Sequence, residues 1–297
     1  ETKSIAEMEP PPLRPNAVVQ FQRIGLEEGL SQSVVNVILQ DRQGFLWFGT
    51  QDGLNRYDGY NFKVYKSNPE DPNSLSDGWI ESLYEDSDGC LWIGTYQGGL
   101  NRYDPKNDTF TQFRHIPEEP SSIGKGVVNT ILQDRSGTLW VGSMDGLSKF
   151  DPGSESFTHY RNNPADSNSL SHNNVNVIYQ DSKDRLWIGT LGGGLELFDP
   201  VTGEFKHFRA SLNIDEVKGE PETQNSISDD YIKDILEDDK GYLWVSTEEG
   251  LNRFNPARRQ FKHYLTVEDD SSTLSNNSTT ALLIDRRGVL GVGTKHG

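Results

Sequence analysis

Short apolar runs alternate along the chain with clusters of Asp, Gly, Asn, Pro and Ser, and the alternation has a long period. Trp47, Trp92, Trp140, Trp187 and Trp244 are spaced 45, 48, 47 and 57 residues apart, each inside one phrase: DRQGFLWFGT (41–50), DSDGCLWIGT (86–95), DRSGTLWVGS (134–143), DSKDRLWIGT (181–190) and DDKGYLWVST (238–247). A sixth copy, DRRGVLGVGT (285–294), has Gly291 in place of the tryptophan. A second phrase follows the first five copies: LNRYD (54–58), LNRYDP (100–105), LSKFDP (147–152), LELFDP (195–200) and LNRFNP (251–256). A third aromatic-x-x-aromatic phrase comes after it, as in FKVY (62–65) and FTQF (110–113). Repeats of roughly 40–50 residues mean propellers, solenoids or arrays.

The pattern predicts four short strands per repeat. The first is apolar on both faces, as in Val34 to Gln40, and fits a strand sandwiched between sheets. A tight Asp-x-x-Gly hairpin leads to the Leu-Trp-x-Gly-Thr strand, with glycine supplying positive φ and aspartate capping the turn amides. The second and third phrases are strands three and four. No helical periodicity extends beyond a turn or two. The expected fold is all-β, a β-propeller of four-stranded blades with six repeat copies. Residues 1–17 read as a disordered proline-rich leader, and 18–297 as one propeller domain, incomplete at its C-terminal end. Val18 to Arg23 reads as a stray fourth strand, and an insertion near Ala210 to Gln224 accounts for the 57-residue spacing.

Charge narrows the function. With 45 acidic against 28 basic residues the formal charge is −17, which disfavours nucleic acid and anionic membranes as partners. No apolar run approaches the roughly 18 residues of a membrane span. The single cysteine, Cys90, excludes an internal disulfide framework and a four-cysteine zinc site. The Asp-Gly turns lack the alternating ligands and the glutamate of a calcium loop, and they recur in every repeat, so they read as structural. His159, His207 and His263 share one register of strand four in separate repeats, too far apart for one coordination sphere, and read as outer-surface residues. No catalytic or phosphate-cradling motif is present, so neither metal nor cofactor is expected.

Candidate function lies where the repeat is broken. Four residues after each tryptophan position stand Gln51, Tyr96, Met144, Leu191, Glu248 and Lys295; thirteen before it stand Val34, Trp79, Val127, Asn174, Tyr231 and Ser278. The loops carrying these positions share one face of a propeller. Gln51, Trp79, Tyr96, Met144, Asp145, His172, Tyr231 and Glu248 are therefore the ligand-binding candidates, because aromatic faces beside polar groups commonly hold sugars. Asn36, Glu81, Asn129, Asn176, Lys233 and Thr280 read as a polar ring lining a channel and satisfied by water.

The Leu-Trp-x-Gly-Thr phrase followed by Gly-Leu-Asn-Arg-Tyr-Asp resembles the two-component regulator propeller repeat family over residues 21–297. The family's Asn-Ser-Leu-Ser hallmark appears as NSLS (73–76), NSLS (168–171) and NSIS (225–228). The resemblance implies the periplasmic sensor region of bacterial hybrid histidine kinases or related receptors, and a seven-bladed ring of which six copies are visible. It implies a non-catalytic ligand-sensing or interaction propeller of a bacterial transmembrane signalling receptor, with a carbohydrate or another small ligand and neighbouring receptor domains as partners. A kinase or cyclase output domain would lie outside this chain. The unfinished ring also leads us to expect self-association. Two alternatives stand beside this reading. One is a propeller glycan lyase or hydrolase drawing its acid and base from Asp77, Asp145, Asp229, Glu248, Glu249, His172 and Lys295; the other is a structural protein–protein interaction scaffold.

Overall fold

The computed structural model describes residues 23–211 and 225–295. The leader, all but the last residue of the strand read at 18–23, most of the insertion and His296 lie outside the described residues. Five antiparallel sheets have four strands each in simple meander order, and a sixth has two. The first strands, Val35–Gln40, Ile80–Glu85, Val128–Gln133, Val175–Gln180, Ile232–Glu237 and Thr279–Ile284, neighbour one another in succession and form the inner edge. This is the propeller arrangement expected from the repeat.

Each phrase of the repeat has a physical duty. The hairpin aspartate accepts the turn amides on one oxygen and the indole N–H of the tryptophan six residues later on the other. Asp134 Oδ1 takes Ser136 N and Thr138 N at 2.9 and 3.0 Å, while Oδ2 takes Trp140 Nε1 at 2.7 Å. The same indole bond recurs at Asp41, Asp86, Asp181 and Asp238. Opposite Gly291, Asp285 Oδ2 binds Arg287 instead. In Leu-Asn-Arg-Tyr the leucine is buried and the arginine lies over the tryptophan of its own blade, as Arg102 does 5.7 Å from Trp92. The asparagine pins the loop entering strand one: Asn101 Oδ1 accepts Ser76 N at 2.9 Å and its amide donates to Ser76 Oγ at 2.7 Å. Asn55 with Ser31, and Asn252 with Ser228, repeat this latch. It explains the last serine of the Asn-Ser-Leu-Ser phrase.

The core lies between blades. Trp47, Trp92, Trp140 and Trp187 project onto the third-strand aromatic of the next blade, edge-on at 5.2 Å for Trp47 on Tyr103, Trp92 on Phe150 and Trp140 on Phe198 and at 5.6 Å for Trp187 on Phe254. Trp47, Trp92, Trp140 and Trp187 are buried as expected. Trp244 is only half-buried, because the sixth blade offers it no third strand among the described residues. A cavity of about 570 Å³ opens there, lined by Trp244, Tyr264, Leu265, Leu274 and Leu290. The glycine of Leu-Trp-x-Gly-Thr is forced by the neighbouring blade. A Cβ on Gly142 would stand 2.5 Å from Val175 Cγ1 and 2.6 Å from Thr130 Cγ2, inside van der Waals contact. In the fifth blade Ser246 occupies this place opposite the smaller Thr279, and its hydroxyl is buried without a partner.

Among the described residues nothing covers the two end faces of the arc. The fourth position of the first strand is covered by the preceding blade at Ile131 (6%) and Ile178 (6%), whereas Ile38 in blade one is 61% exposed. Leu283, on the opposite face of blade six, is 68% exposed.

Candidate functional site

The two variable registers meet, as the sequence reading requires. Tyr96 N donates to Trp79 O at 3.0 Å, Met144 N to Val127 O at 3.1 Å, Leu191 N to Asn174 O at 2.9 Å, Glu248 N to Tyr231 O at 3.2 Å and Lys295 N to Ser278 O at 3.0 Å. In blades two to six they form facing pairs at the end of the first two strands away from the hairpin turn. Between them and the regular ladder every first strand carries a β-bulge, with the register shifting across Asn36, Glu81, Asn129, Asn176, Lys233 and Thr280. A bulge adds an unpaired residue and re-aims its side chain. The polar ring of the sequence reading is thus six bulge residues.

Part of that ring has a duty other than contacting water. The side-chain amides of Asn36, Asn129 and Asn176 donate to Ile80 O, Val175 O and Ile232 O at 2.9, 2.8 and 3.1 Å. Each asparagine therefore clamps its own bulge to the first strand of the next blade. Lys233 pairs with Glu248 at 3.0 Å. Glu81 does neither, and Ser82 Oγ takes the corresponding carbonyl, Val128 O, at 2.9 Å.

The candidates are distributed over this face. Trp79 and Tyr96 stack with ring centroids 4.6 Å apart and planes 21° off parallel. Tyr96 is 38% exposed, Met144 51% and Tyr231 50%, so apolar surface faces solvent at both registers. Trp79 Nε1 is sealed from solvent with no acceptor at bonding geometry among the described residues. Burial pushes the Glu81 carboxyl up, against a weaker downward pull from that N–H. Asp77 caps the loop, accepting Trp79 N at 3.2 Å and Gln97 N at 2.8 Å. Burial raises the Asp145 carboxyl, but Arg161 at 2.8 Å and Lys125 N outweigh it and hold the group below its ordinary range. Hydrogen bonds from Lys233 and Ser278 lower Glu248. His172 is exposed, its Nδ1 accepting Asn174 N at 3.2 Å. Gly192 N beside it donates to Asp230 O of the next blade at 3.0 Å, bringing His172 toward Tyr231. Gln51 keeps its register in blade one, one residue past Thr50, which pairs with Val35. Among the described residues no group of three or more His, Cys, Asp or Glu side chains could hold a metal.

The strand-four histidines correct the sequence reading. They are half-buried fasteners, not free outer-surface residues: His159 Nε2 meets Ser122 O at 2.8 Å and His263 Nε2 meets Ser226 O at 2.9 Å. Burial lowers the pKa of both. His207 makes the same bond, Nε2 meeting Ser167 O at 2.8 Å, and in addition pairs through Nδ1 with the fully buried Glu196, which replaces the latch asparagine and also accepts Ser171 Oγ. That bond outweighs burial and raises His207. The period of strand four marked these histidines, but their partners lie about 37–40 residues away in the chain and are brought close only by the blade.

Comparison with known proteins adds the family. The profile described as two component regulator propeller matches residues 29–52, 74–97, 122–145, 169–192 and 226–249. A histidine kinase of Formosa agariphila is 59% identical over 49 residues, 16% of this chain and 4% of that protein. The solved extracellular domain assigned to a hybrid two-component system of B. thetaiotaomicron is 25% identical, with a TM-score of 0.69 over 92% of this chain and 40% of that one. Virginiamycin B lyase of Staphylococcus aureus shares the fold alone, at 12% identity and a TM-score of 0.60 over 86% of this chain and 83% of that one. The chain spans under half the length of the two receptor relatives.

Proposed function

Because the chain is built of two-component regulator propeller repeats, we propose that it is the non-catalytic ligand-sensing propeller of a bacterial transmembrane signalling receptor, working in the periplasm. No helix among the described residues is long and apolar enough to cross a membrane. In this reading the kinase or cyclase output is a separate part of the receptor. The observation that carries it is the loop face, where side chains that break the repeat stand in facing pairs and leave Tyr96, Met144 and Tyr231 exposed on a rigid scaffold. A ligand held there changes how the face packs against a neighbouring receptor domain, and its differential affinity for the two arrangements is the signal. The stacked Trp79–Tyr96 pair favours a carbohydrate, whose C–H faces lie on aromatic rings. Catalysis is disfavoured because Asp145 and Glu248 are tied in ion pairs and Asp77 is used as a turn cap.

Calorimetric titration of the chain with a panel of neutral oligosaccharides tests this. The double variant Trp79→Ala, Tyr96→Ala should weaken a binding sugar at least tenfold, while Tyr60→Ala, 89% exposed on an outer turn, should not. Equal binding by the double variant would move the ligand off this face, and turnover of any glycan would end the non-catalytic reading. Self-association through the bare faces around Ile38 and Leu283 belongs to the same proposal. Light scattering that stays monomeric at high concentration would remove it.

A further inference from the structure

Glu196 stands where blades one, two and five carry the neutral latch residues Asn55, Asn101 and Asn252, and its side chain is fully buried. A buried carboxylate is costly unless it is paired and hydrogen-bonded. Here one oxygen accepts Ser171 Oγ and the other meets His207 Nδ1. The far side of the ring is committed too, because His207 Nε2 meets Ser167 O at 2.8 Å. Both ring nitrogens thus face acceptors, a carboxylate and a carbonyl. A neutral imidazole has one N–H and can satisfy only one of them. The contacts close when the pair holds one proton beyond a carboxylate and a neutral imidazole, whichever partner carries it. The strand-four histidines of the neighbouring blades need no such proton. His159 Nε2 meets Ser122 O and its Nδ1 meets Ser148 Oγ, a hydroxyl that can donate, both at 2.8 Å. His263 meets Ser226 O and lies opposite Asn252. Accordingly burial lowers His159 and His263, while the bond to Glu196 raises His207.

We infer that Glu196 and His207 form a proton-binding site that fastens the loop leading into blade four, so that this corner of the variable face responds to pH. The loop is held at Ser167 by the ring and at Ser171 by the carboxylate, and it ends in His172 and Asn174 on that face. As pH rises the carboxylate keeps Nδ1–H, the stronger, charge-assisted bond. The proton therefore leaves from Nε2, whose lone pair then opposes Ser167 O. Phe205 N still donates to Asn168 O at 2.7 Å, so the loop loosens without detaching. The His207 side chain is 26% exposed, which gives the proton a path to solvent. Besides Glu196, the charged group acting on the ring is Arg209 at the end of its own strand, a minor opposing influence. Asp199, Glu204 and Lys206 line the groove in front of the ring, and Glu204 accepts Asn168 Nδ2 at 3.3 Å. Asp166 in the loop caps Asn168 N at 2.9 Å. Because the group is raised in the folded chain, the fastening is complete below about pH 6.5 and is lost as pH rises through the folded value. That the movement alters ligand binding rests on the sensing reading above; the proton site does not.

The test is NMR of the whole chain between pH 6 and 9, following the His207 ring and the amides of residues 163–174, with amide exchange corrected for its intrinsic pH dependence. The ring should titrate above the ordinary imidazole value. The loop amides should shift with the same midpoint and lose protection about three- to tenfold, the worth of one hydrogen bond. The equivalent loops of blades three and five, around Ser122 and Ser226, should not respond. In Glu196→Asn a neutral His207 keeps its Nε2–H on Ser167 O, so the loop should stay protected across the range. His207→Ala removes the fastener and should show the loosened loop at every pH. These readouts need no ligand, so their failure leaves the sensing reading standing, and a sugar that does not bind leaves them intact. Loop amides whose midpoint differs from that of the ring, an unchanged response in Glu196→Asn, or a His207 that titrates at or below the ordinary value overturns the inference.

Discussion

Replacing Asp134 by Asn isolates the bond that ties each hairpin to its interblade tryptophan. Trp140 is 1% exposed and Asp134 8%, so water cannot replace the 2.7 Å bond between Trp140 Nε1 and Asp134 Oδ2. Asparagine keeps the size and one carbonyl oxygen. If that oxygen continues to accept Ser136 N and Thr138 N, an N–H group faces the indole N–H. If the amide flips, the indole is satisfied and the two turn amides are not. Bonds to a charged group contribute about 1.5–3 kcal/mol, and leaving the buried donor unpaired costs a similar amount. We expect Asp134→Asn to cost about 2–4 kcal/mol. In a Trp140→Phe background the indole donor is gone, and the same change should cost only what weaker turn caps cost, about 1 kcal/mol. The coupling in the double-mutant cycle should therefore be about 1–3 kcal/mol. Urea unfolding followed by far-ultraviolet circular dichroism measures it, since that signal survives loss of the tryptophan. Asp285→Asn is the control, because Gly291 leaves no indole there and Asp285 is bonded to an exposed arginine. A coupling below about 0.5 kcal/mol, or an Asp285→Asn cost equal to that of Asp134→Asn, would show that the aspartates serve only as turn caps.

Gly142→Ala should destabilise by about 1–3 kcal/mol through overpacking against Val175 and Thr130, whereas Gly291→Ala, whose new Cβ would meet nothing closer than 3.6 Å, should be neutral by the same unfolding assay. Trp140→Ala should cost about 3–5 kcal/mol and Trp244→Ala clearly less, because the sixth blade leaves Trp244 half-covered; equal losses would mean that the covering blade does not matter. The bond to Glu196 raises His207 above the ordinary imidazole value, so its stabilisation is fully present below about pH 6.5 and is lost as pH rises through the folded pKa. Glu196→Asn, which recreates the neutral latch of blades one, two and five, should flatten the melting temperature between pH 6 and 9; an unchanged slope would place the titration elsewhere.

The repeat, its four strands and the face that carries the variable side chains were legible in the sequence, because a propeller imposes the same local packing on every blade. Leu-Trp-x-Gly-Thr is spelled by a buried indole, a tight hairpin and a neighbour too close for a Cβ, and these constraints return with each turn of the repeat. The pairing of Trp79 with Tyr96 was legible only as a shared register; the backbone bond and the 4.6 Å stack needed the hairpin between them. Two features belonged to tertiary structure alone. Asn36, Asn129 and Asn176 look like channel-lining polar residues in sequence, but a bulge turns them onto carbonyls about 45–55 residues away. The strand-four histidines look like surface residues because their partners sit in a loop folded back over the blade. Local chemistry repeats along a chain and can be read there, whereas a contact between blades depends on distances that exist only once the sheets are stacked.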